Sequence, residues 1–367
     1  MTICNRLYDS IKRGQKGRNK GLPSGFDRLD KIIFGIQRRY FTTICGDSGS
    51  GKSTLALYMY VYRPLMEAIK NGREVSVLYF SFEMSDEVLF AKLLSIYIWE
   101  EYQKEISYEQ ILSLVNEISD EDMEYVDKAF AWLRQVEKRI KVVDKSVPAM
   151  GVYAIVKEWN KQFGEFIEIN EHAEVYNPRD PEAYRIIVVD HIKLLSSGSG
   201  TIKEQIDMCC NVLIGFRNKC NNTICIVQQL NRGFKSMERR NSGVYQLLQL
   251  DDMADSSAPA QSSEVVLGIF DAHRERMTNC EGYSISQMKD SFRLLQVMKN
   301  RFGLSNKNIG VAFAGNIGYW RELPKPNEIN DYSKYTNLTS TIPDKNVNKS
   351  DETNKLDQTT RNFNFTF

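Results

Sequence analysis

The sequence predicts an α/β protein built on a mainly parallel central sheet, with helices on both faces and antiparallel strands added at its C-terminal end. Three observations carry this. From Phe41 to Val227, short apolar and β-branched runs alternate with stretches of helical period, the pattern of βαβ units. The first run leads directly into Gly46-Asp47-Ser48-Gly49-Ser50-Gly51-Lys52-Ser53, a G-x-x-x-x-G-K-S/T loop that opens a helix. After residue 264 the strand-like runs sit close together, which points to antiparallel additions.

Residues 1–20 read as a short helix followed by a basic arm. An opening segment, 21–39, precedes a strand at 40–45 that is rich in β-branched and aromatic residues. Residues 53–62, without Gly or Pro, read as a helix that Pro64 should end or kink. A buried-type strand at 75–80 runs into Ser81-Phe82-Glu83-Met84-Ser85, and 86–163 is mainly helical with a short strand at 140–143. Residues 164–184 are polar and acidic, as expected of a surface insertion. A second buried run, Ile186-Ile187-Val188-Val189-Asp190, ends in a carboxylate and precedes a helix over 202–220. Strands follow at 223–228, 264–270, 292–298 and 309–315. From 326 to 367 the composition turns to Asn, Asp, Lys, Thr and Ser, the signature of a disordered tail.

Composition excludes several classes. With 367 residues and 42% hydrophobic content the chain can bury a large core. No apolar run approaches the roughly 20 residues that span a bilayer, and the N-terminus lacks the secretory pattern, so a soluble cytoplasmic protein with no membrane partner is expected. The 7 Cys show no zinc-ligand spacing, and Cys45, Cys209 and Cys225 read as buried thiols. The net charge of +1 confines any nucleic-acid binding to local patches. Two stand out, Lys12 to Lys20 and Arg232 to Arg240.

The chemistry gathers at strand ends. A glycine-rich loop lets successive N–H groups turn toward phosphate oxygens at a helix N-terminus. Gly46, Asp47, Ser48, Gly49, Ser50, Gly51, Lys52, Ser53 and Thr54 would cradle a nucleotide, with Lys52 on the β- and γ-phosphates and the Ser53 hydroxyl on Mg²⁺. Glu83, Asp190 and Gln229 fall at or just after three further strand ends, where ligands of open α/β sheets bind. Asp190 would hold Mg²⁺, Glu83 would orient the attacking water, and Gln229 would contact the γ-phosphate.

These residues resemble the RecA-like ATPase core of DnaB-type replicative helicases over about residues 20–323. Gly21-Leu22-Pro23-Ser24-Gly25-Phe26-Asp27-Arg28-Leu29-Asp30 resembles that family's G-x-P-T-G-F-x-x-L-D. Phe80-Ser81-Phe82-Glu83-Met84-Ser85 is similar to F-S-L-E-M-S, and Val188-Val189-Asp190-His191-Ile192-Lys193-Leu194-Leu195 to V-V-D-Y-L-Q-L-M. Gln229-Leu230-Asn231-Arg232 matches Q-L-N-R, and Lys299-Asn300-Arg301-Phe302-Gly303 resembles K-N-R-N-G. The resemblance implies a RecA-like P-loop NTPase domain over 21–325 and an ATP-dependent homo-hexameric ring on single-stranded DNA. It implies that Lys299 and Arg301 act on a neighbour's nucleotide as fingers. It also implies two channel loops, one reaching Lys203 and one carrying Arg232, Lys235, Arg239 and Arg240.

The chain departs from that pattern in four places, one being the insertion at 164–184, which has no counterpart in it. Only about 20 residues precede the core, too few for the family's helical collar or fused primase. His191 stands where the family usually has Tyr, and 251–261 matches only loosely. A loader, primase, polymerase or single-strand-binding protein would be the expected partners; Arg361 to Phe367 reads as an unstructured end or, alternatively, as a docking peptide for one of the last two or a strand added to a neighbour's sheet edge. Stand-alone organisation and an Asn/Ile/Lys flavour point to a phage or mobile element. Two alternatives share the P-loop: a RecA/RadA-like recombinase filament and a KaiC-like regulatory or loader ATPase. The Q-L-N-R and K-N-R-F-G stretches favour the helicase over the recombinase, while the expected lack of a collar keeps the regulatory or loader ATPase open.

Overall fold

A computed structural model describes residues 2–17, 19–170, 173–198, 200–231, 247–253 and 256–336. Helix α1 (Ile3–Gln15) is capped by the Thr2 hydroxyl, which accepts from Asn5 N. Its apolar side chains Ile3, Leu7, Tyr8 and Ile11 are each more than half exposed and share a face by their spacing of three and four.

The opening segment closes on itself. Leu22 and Ile36 exchange backbone hydrogen bonds of 2.9 and 2.8 Å, and a Cβ on Gly21 would stand 2.7 Å from Ile36 O. Asp30, in α2 (Asp27–Ile33), accepts from Ser24 N at 3.2 and 3.1 Å. Leu22, Phe26 and Leu29 are thereby fully buried. Burial, reinforced by Asp27 and Glu322, pushes the Asp30 carboxyl up to about 6 against the Ser24 bonds.

The chain then builds β1 (Phe41–Gly46), α3 (Lys52–Leu57), a π-turn at Tyr58–Tyr62 and α4 (Arg63–Asn71). Of the two outcomes the sequence allowed at Pro64, an end or a kink, the helical path does not end there. A proline lacks an N–H and crowds the carbonyl four residues back. The wider π-turn immediately before it takes up that conflict, and the helix continues to Asn71. Next come β2 (Val75–Ser81), α5 (Asp86–Tyr102), α6 (Tyr108–Ile111), α7 (Asp120–Glu137), β3 (Ile140–Val143) and α8 (Ala149–Lys161).

Residues 164–184 contain a hairpin, β4 (Gly164–Asn170) against β5 (Ala173–Pro178). Phe166 and Tyr176 meet at 4.9 Å, and Glu174 reaches Lys157 at 3.0 Å and Lys219 at 2.9 Å. The remaining strands are β6 (Tyr184–Asp190), β7 (Thr223–Gln229), β8 (Val265–Phe270), the short pair β9 (Asn279–Cys280) and β10 (Tyr283–Ser284), β11 (Phe292–Asn300), β12 (Lys307–Ala314) and β13 (Tyr319–Glu322). Helix α9 (Ile202–Cys220) joins β6 to β7, and α10 (Ala258–Ser262) precedes β8.

Nine of these strands form one sheet in the order β3-β2-β6-β7-β1-β8-β11-β12-β13. It is parallel from β3 through β8 and antiparallel beyond. Close spacing misleads for β8, which pairs parallel with β1. Alternate strand residues serve opposite faces. Val77, Tyr79 and Val188 pack against α3 to α5 and α7, whereas Leu78, Phe80 and Val189 pack against α8 and α9. Order also continues past residue 325. Ser284 N donates to Tyr332 O–H at 3.1 Å, Tyr335 joins a cluster with Tyr283 and Phe292, and Ser333–Thr336 is helical. Two tyrosines supply the apolar area that the polar composition concealed. The remainder of the tail, with Arg361 to Phe367, lies outside the described residues. Among the described residues, no helix is long and apolar enough to cross a membrane.

Candidate functional site

Four adjacent strands, β2, β6, β7 and β1, carry the sequence-predicted groups at their carboxyl ends. Gly46 stands opposite Gln229 in the β1–β7 register, and Ser81 opposite Asp190 in the β2–β6 register. Phe82 N donates to Asp190 O at 2.9 Å, which seats the loop of exposed Glu83 beside the aspartate.

The glycine-rich loop is shaped for close approach. Gly49 and Gly51 have φ of 75° and 99°, a region costly for residues with a Cβ. A Cβ on Gly51 would also stand 2.8 Å from Trp320. The Ser50 hydroxyl is fully buried and has no hydrogen-bond partner among the described residues. Lys52 Nζ donates to Asp47 O at 2.7 Å; burial lowers its affinity for a proton, against the pull of Asp190, Asp47 and Glu83. Thr54 is half-buried, its methyl directed toward Gly318.

Ser53 Oγ donates to Asp190 Oδ1 at 2.9 Å and Tyr79 O–H donates to Oδ2 at 2.7 Å. Burial, with help from Glu83, raises the Asp190 carboxyl to about 6; the two hydrogen bonds and Lys52 oppose the rise. A hydroxyl and a carboxylate side by side are hard oxygen donors of the kind Mg²⁺ accepts.

Two arginines that the motifs did not single out brace this loop. Arg293, on β11, is 3% exposed; its Nε donates to Ser50 O at 3.2 Å and its Nη2 lies 3.2 Å from Asp271 Oδ2. Asp271 also accepts from Arg274 N at 3.0 Å, and the Arg274 guanidinium donates to Ser48 O. The arginines thus hold carbonyls 48 and 50, while within the loop Ser48 N donates to Asp47 Oδ1 at 2.9 Å and Ser50 N to Asp47 O at 3.2 Å. A lone arginine inside Phe292-Arg293-Leu294-Leu295 was the available signal, because a charge in a buried strand needs a partner.

Lys299 and Arg301 lie apart from this group. In the β8–β11 register Leu295 stands opposite Ile269, itself opposite Gly46, while Asn300 stands opposite Val265. Four strand residues separate the two levels, about 13 Å at ~3.3 Å each. Both cations therefore sit toward the end of the sheet away from their own P-loop. Lys299 Nζ donates to Ala260 O at 2.6 Å, and Arg301 Nη2 to Gln261 O at 2.8 Å. Beneath them Glu264, 5% exposed, accepts from Phe41 N at 2.8 Å and from Arg217 Nη1 at 2.7 Å.

Of the DNA-facing candidates, Lys203 is exposed in the first turn of α9, where Thr201 and Glu204 form a capping box. Arg232, Lys235, Arg239 and Arg240 lie outside the described residues. The ends of their loop are pinned together: Leu230 bridges Met253, and Asn231 N donates to Asp252 O at 2.7 Å.

A family model described as the DnaB-like helicase C terminal domain matches residues 21–322. A curated Nostoc replicative DNA helicase DnaB is 22% identical over 266 residues, which cover 72% of this chain and 26% of that protein. The chain thus spans about a quarter of that relative's length. Two solved structures share the fold at 17% identity and 88% coverage of this chain. One is an ATPase domain, with a TM-score of 0.66 and 99% of its length covered. The other is a DnaB-like replicative helicase described with its interactions with primase, with a TM-score of 0.65 and 68% covered.

Proposed function

The chain belongs to the family of DnaB-like helicase C-terminal domains, and from that membership we propose that it is the motor of an ATP-dependent replicative DNA helicase. The observation that supports this best is the convergence of the P-loop, Glu83, Asp190 and Gln229 on four neighbouring strand ends. ATP lies along the P-loop with Lys52 on its β- and γ-phosphates. Ser53 and Asp190 would hold Mg²⁺, which would neutralise charge developing on the phosphates. Glu83 orients the attacking water and Gln229 contacts the γ-phosphate.

The ring is a homo-hexamer with nucleotide between subunits. The separation of Lys299 and Arg301 from their own P-loop supports a role for both on the neighbour's nucleotide. The exposed apolar face of α1 supports its burial against a second copy. Lys203 and the loop beyond Gln229, with Arg232, Lys235, Arg239 and Arg240, track the phosphates of single-stranded DNA without reading sequence. A primase or a loader is the partner class expected at a fork.

Strand displacement on forked DNA with ATP and Mg²⁺ tests this. Wild-type protein unwinds, while Lys52→Ala and Arg301→Ala do not. Hydrolysis stimulated by single strands without unwinding would favour a recombinase or a motor lacking its loader. Hydrolysis indifferent to DNA would overturn the helicase reading in favour of a regulatory ATPase.

A further inference from the structure

We propose that His191 is a positioning residue for Gln229: it holds one hydrogen of the glutamine amide so that the other is aimed at the γ-phosphate. The inference rests on the reading of Gln229 as the γ-phosphate contact.

Three observations bring the pair together. His191 follows Asp190 directly and is 5% exposed, so its imidazole is enclosed at the end of β6. Its Nε2 lies 3.4 Å from Gln229 Nε2, at the end of the adjacent strand β7. On the opposite side Gln229 stands in register with Gly46, the first residue of the P-loop, and Leu230 N donates to Gly46 O at 3.3 Å. Residue 229 therefore has its side-chain amide at the imidazole and its backbone beside the phosphate loop.

The chemistry fixes the direction of the bond. An amide nitrogen has two hydrogens and accepts none, so with the ring hydrogen on Nδ1 the His191 Nε2 accepts from the amide. Once one N–H is given to the imidazole, the planar amide fixes where the second points. A half-exposed glutamine otherwise has three rotatable bonds and much rotamer freedom to lose. His191 removes that freedom before nucleotide arrives, which is preorganisation toward the one phosphate that distinguishes ATP from ADP. Because Asp190 is its chain neighbour, the same residue couples the carboxylate strand to the strand that leads into the basic loop.

The test uses the full chain, a non-hydrolysable ATP analogue and ADP, each titrated by fluorescence in Mg²⁺. The ratio of the two dissociation constants reads γ-phosphate recognition without turnover. A purely structural role for His191 would move both constants together. His191→Leu keeps bulk but removes the acceptor; it is expected to lower the preference for the ATP analogue about three- to tenfold. His191→Gln returns an oxygen near the Nε2 position and is expected to restore most of the preference. On a Gln229→Ala background, His191→Leu is expected to add nothing further. An unaltered preference in His191→Leu, beside a lost one in Gln229→Ala, overturns the proposal. An unaltered preference in Gln229→Ala itself overturns the γ-phosphate reading instead. Where His191→Leu does not fold, His191→Asn serves, since its shorter side chain places no acceptor at the Nε2 position.

Discussion

Tyr79 and Asp190 are joined across neighbouring strands by a 2.7 Å hydrogen bond from the phenol to Oδ2. With Ser53 on Oδ1, both oxygens of a carboxylate that is 1% exposed are engaged. Tyr79→Phe is expected to cost about 1–3 kcal/mol of stability by leaving a buried acceptor unmet. It also removes a bond that favours the ionised carboxylate, so nucleotide binding should require more Mg²⁺. Urea unfolding and a Mg²⁺ titration of nucleotide affinity read the two effects; no change in either would remove Tyr79 from the site.

Arg293 and Arg274 separate bracing from exposure. Arg293→Met strands the buried Asp271 and frees Ser50 O, and about 3–5 kcal/mol of stability should be lost. Arg274→Ala breaks an exposed contact and should cost less than about 1 kcal/mol. Both should weaken nucleotide binding. Equal thermal shifts in the two variants would contradict the assignment.

Mixing tests the finger. Arg301→Ala alone should lose about 10³-fold or more of turnover, and Glu83→Gln should also be inactive. When the two are co-assembled, a P-loop of the first can meet a finger of the second, both intact. Phosphate release should then reappear. Continued silence in a mixture shown to co-assemble would place Arg301 in its own subunit's chemistry or in none.

Asp30 sets a pH signature. Its folded-state pKa, pushed up to about 6, exceeds the unfolded value of about 3.9. Between these values the folded state holds the extra proton, so this group's contribution to stability falls as pH rises from about 4 to about 6 and is level above. Asp30→Asn retains an acceptor for Ser24 N and removes the slope. The stability of Asp30→Asn relative to wild type, followed by denaturant midpoint, should climb through that window and then plateau. A constant difference across it would deny the shift.

The phosphate loop and strand-end carboxylates were legible in the sequence because each is local: a few residues at fixed spacing beside a buried run. The supports were not. Tyr79 looks like any aromatic in a strand until the β2–β6 register brings it beside Asp190. Arg293 is more than 200 residues from the loop it braces, and only the antiparallel turn of β11 brings it there. The motif ending at Asp30 reads as a signature, yet its aspartate folds the segment by binding Ser24 N. Glu264 gave no pattern of its own, since its contacts are tertiary, and 164–184 read only as a polar, acidic insertion rather than as the hairpin it contains.

If Arg301 serves a neighbour's nucleotide as proposed, its placement toward the end of the sheet away from the P-loop also fixes what symmetry a productive assembly can have. On that proposal the nucleotide-binding surface faces a different surface bearing Lys299 and Arg301, so the contact would be head-to-tail. A two-fold dimer would set like edge against like edge and complete no site. A closed ring uses every edge, and each subunit answers to one neighbour while serving the other. Such a ring has a sense of rotation built in before any DNA enters it, and an open assembly always leaves one incomplete site at its end.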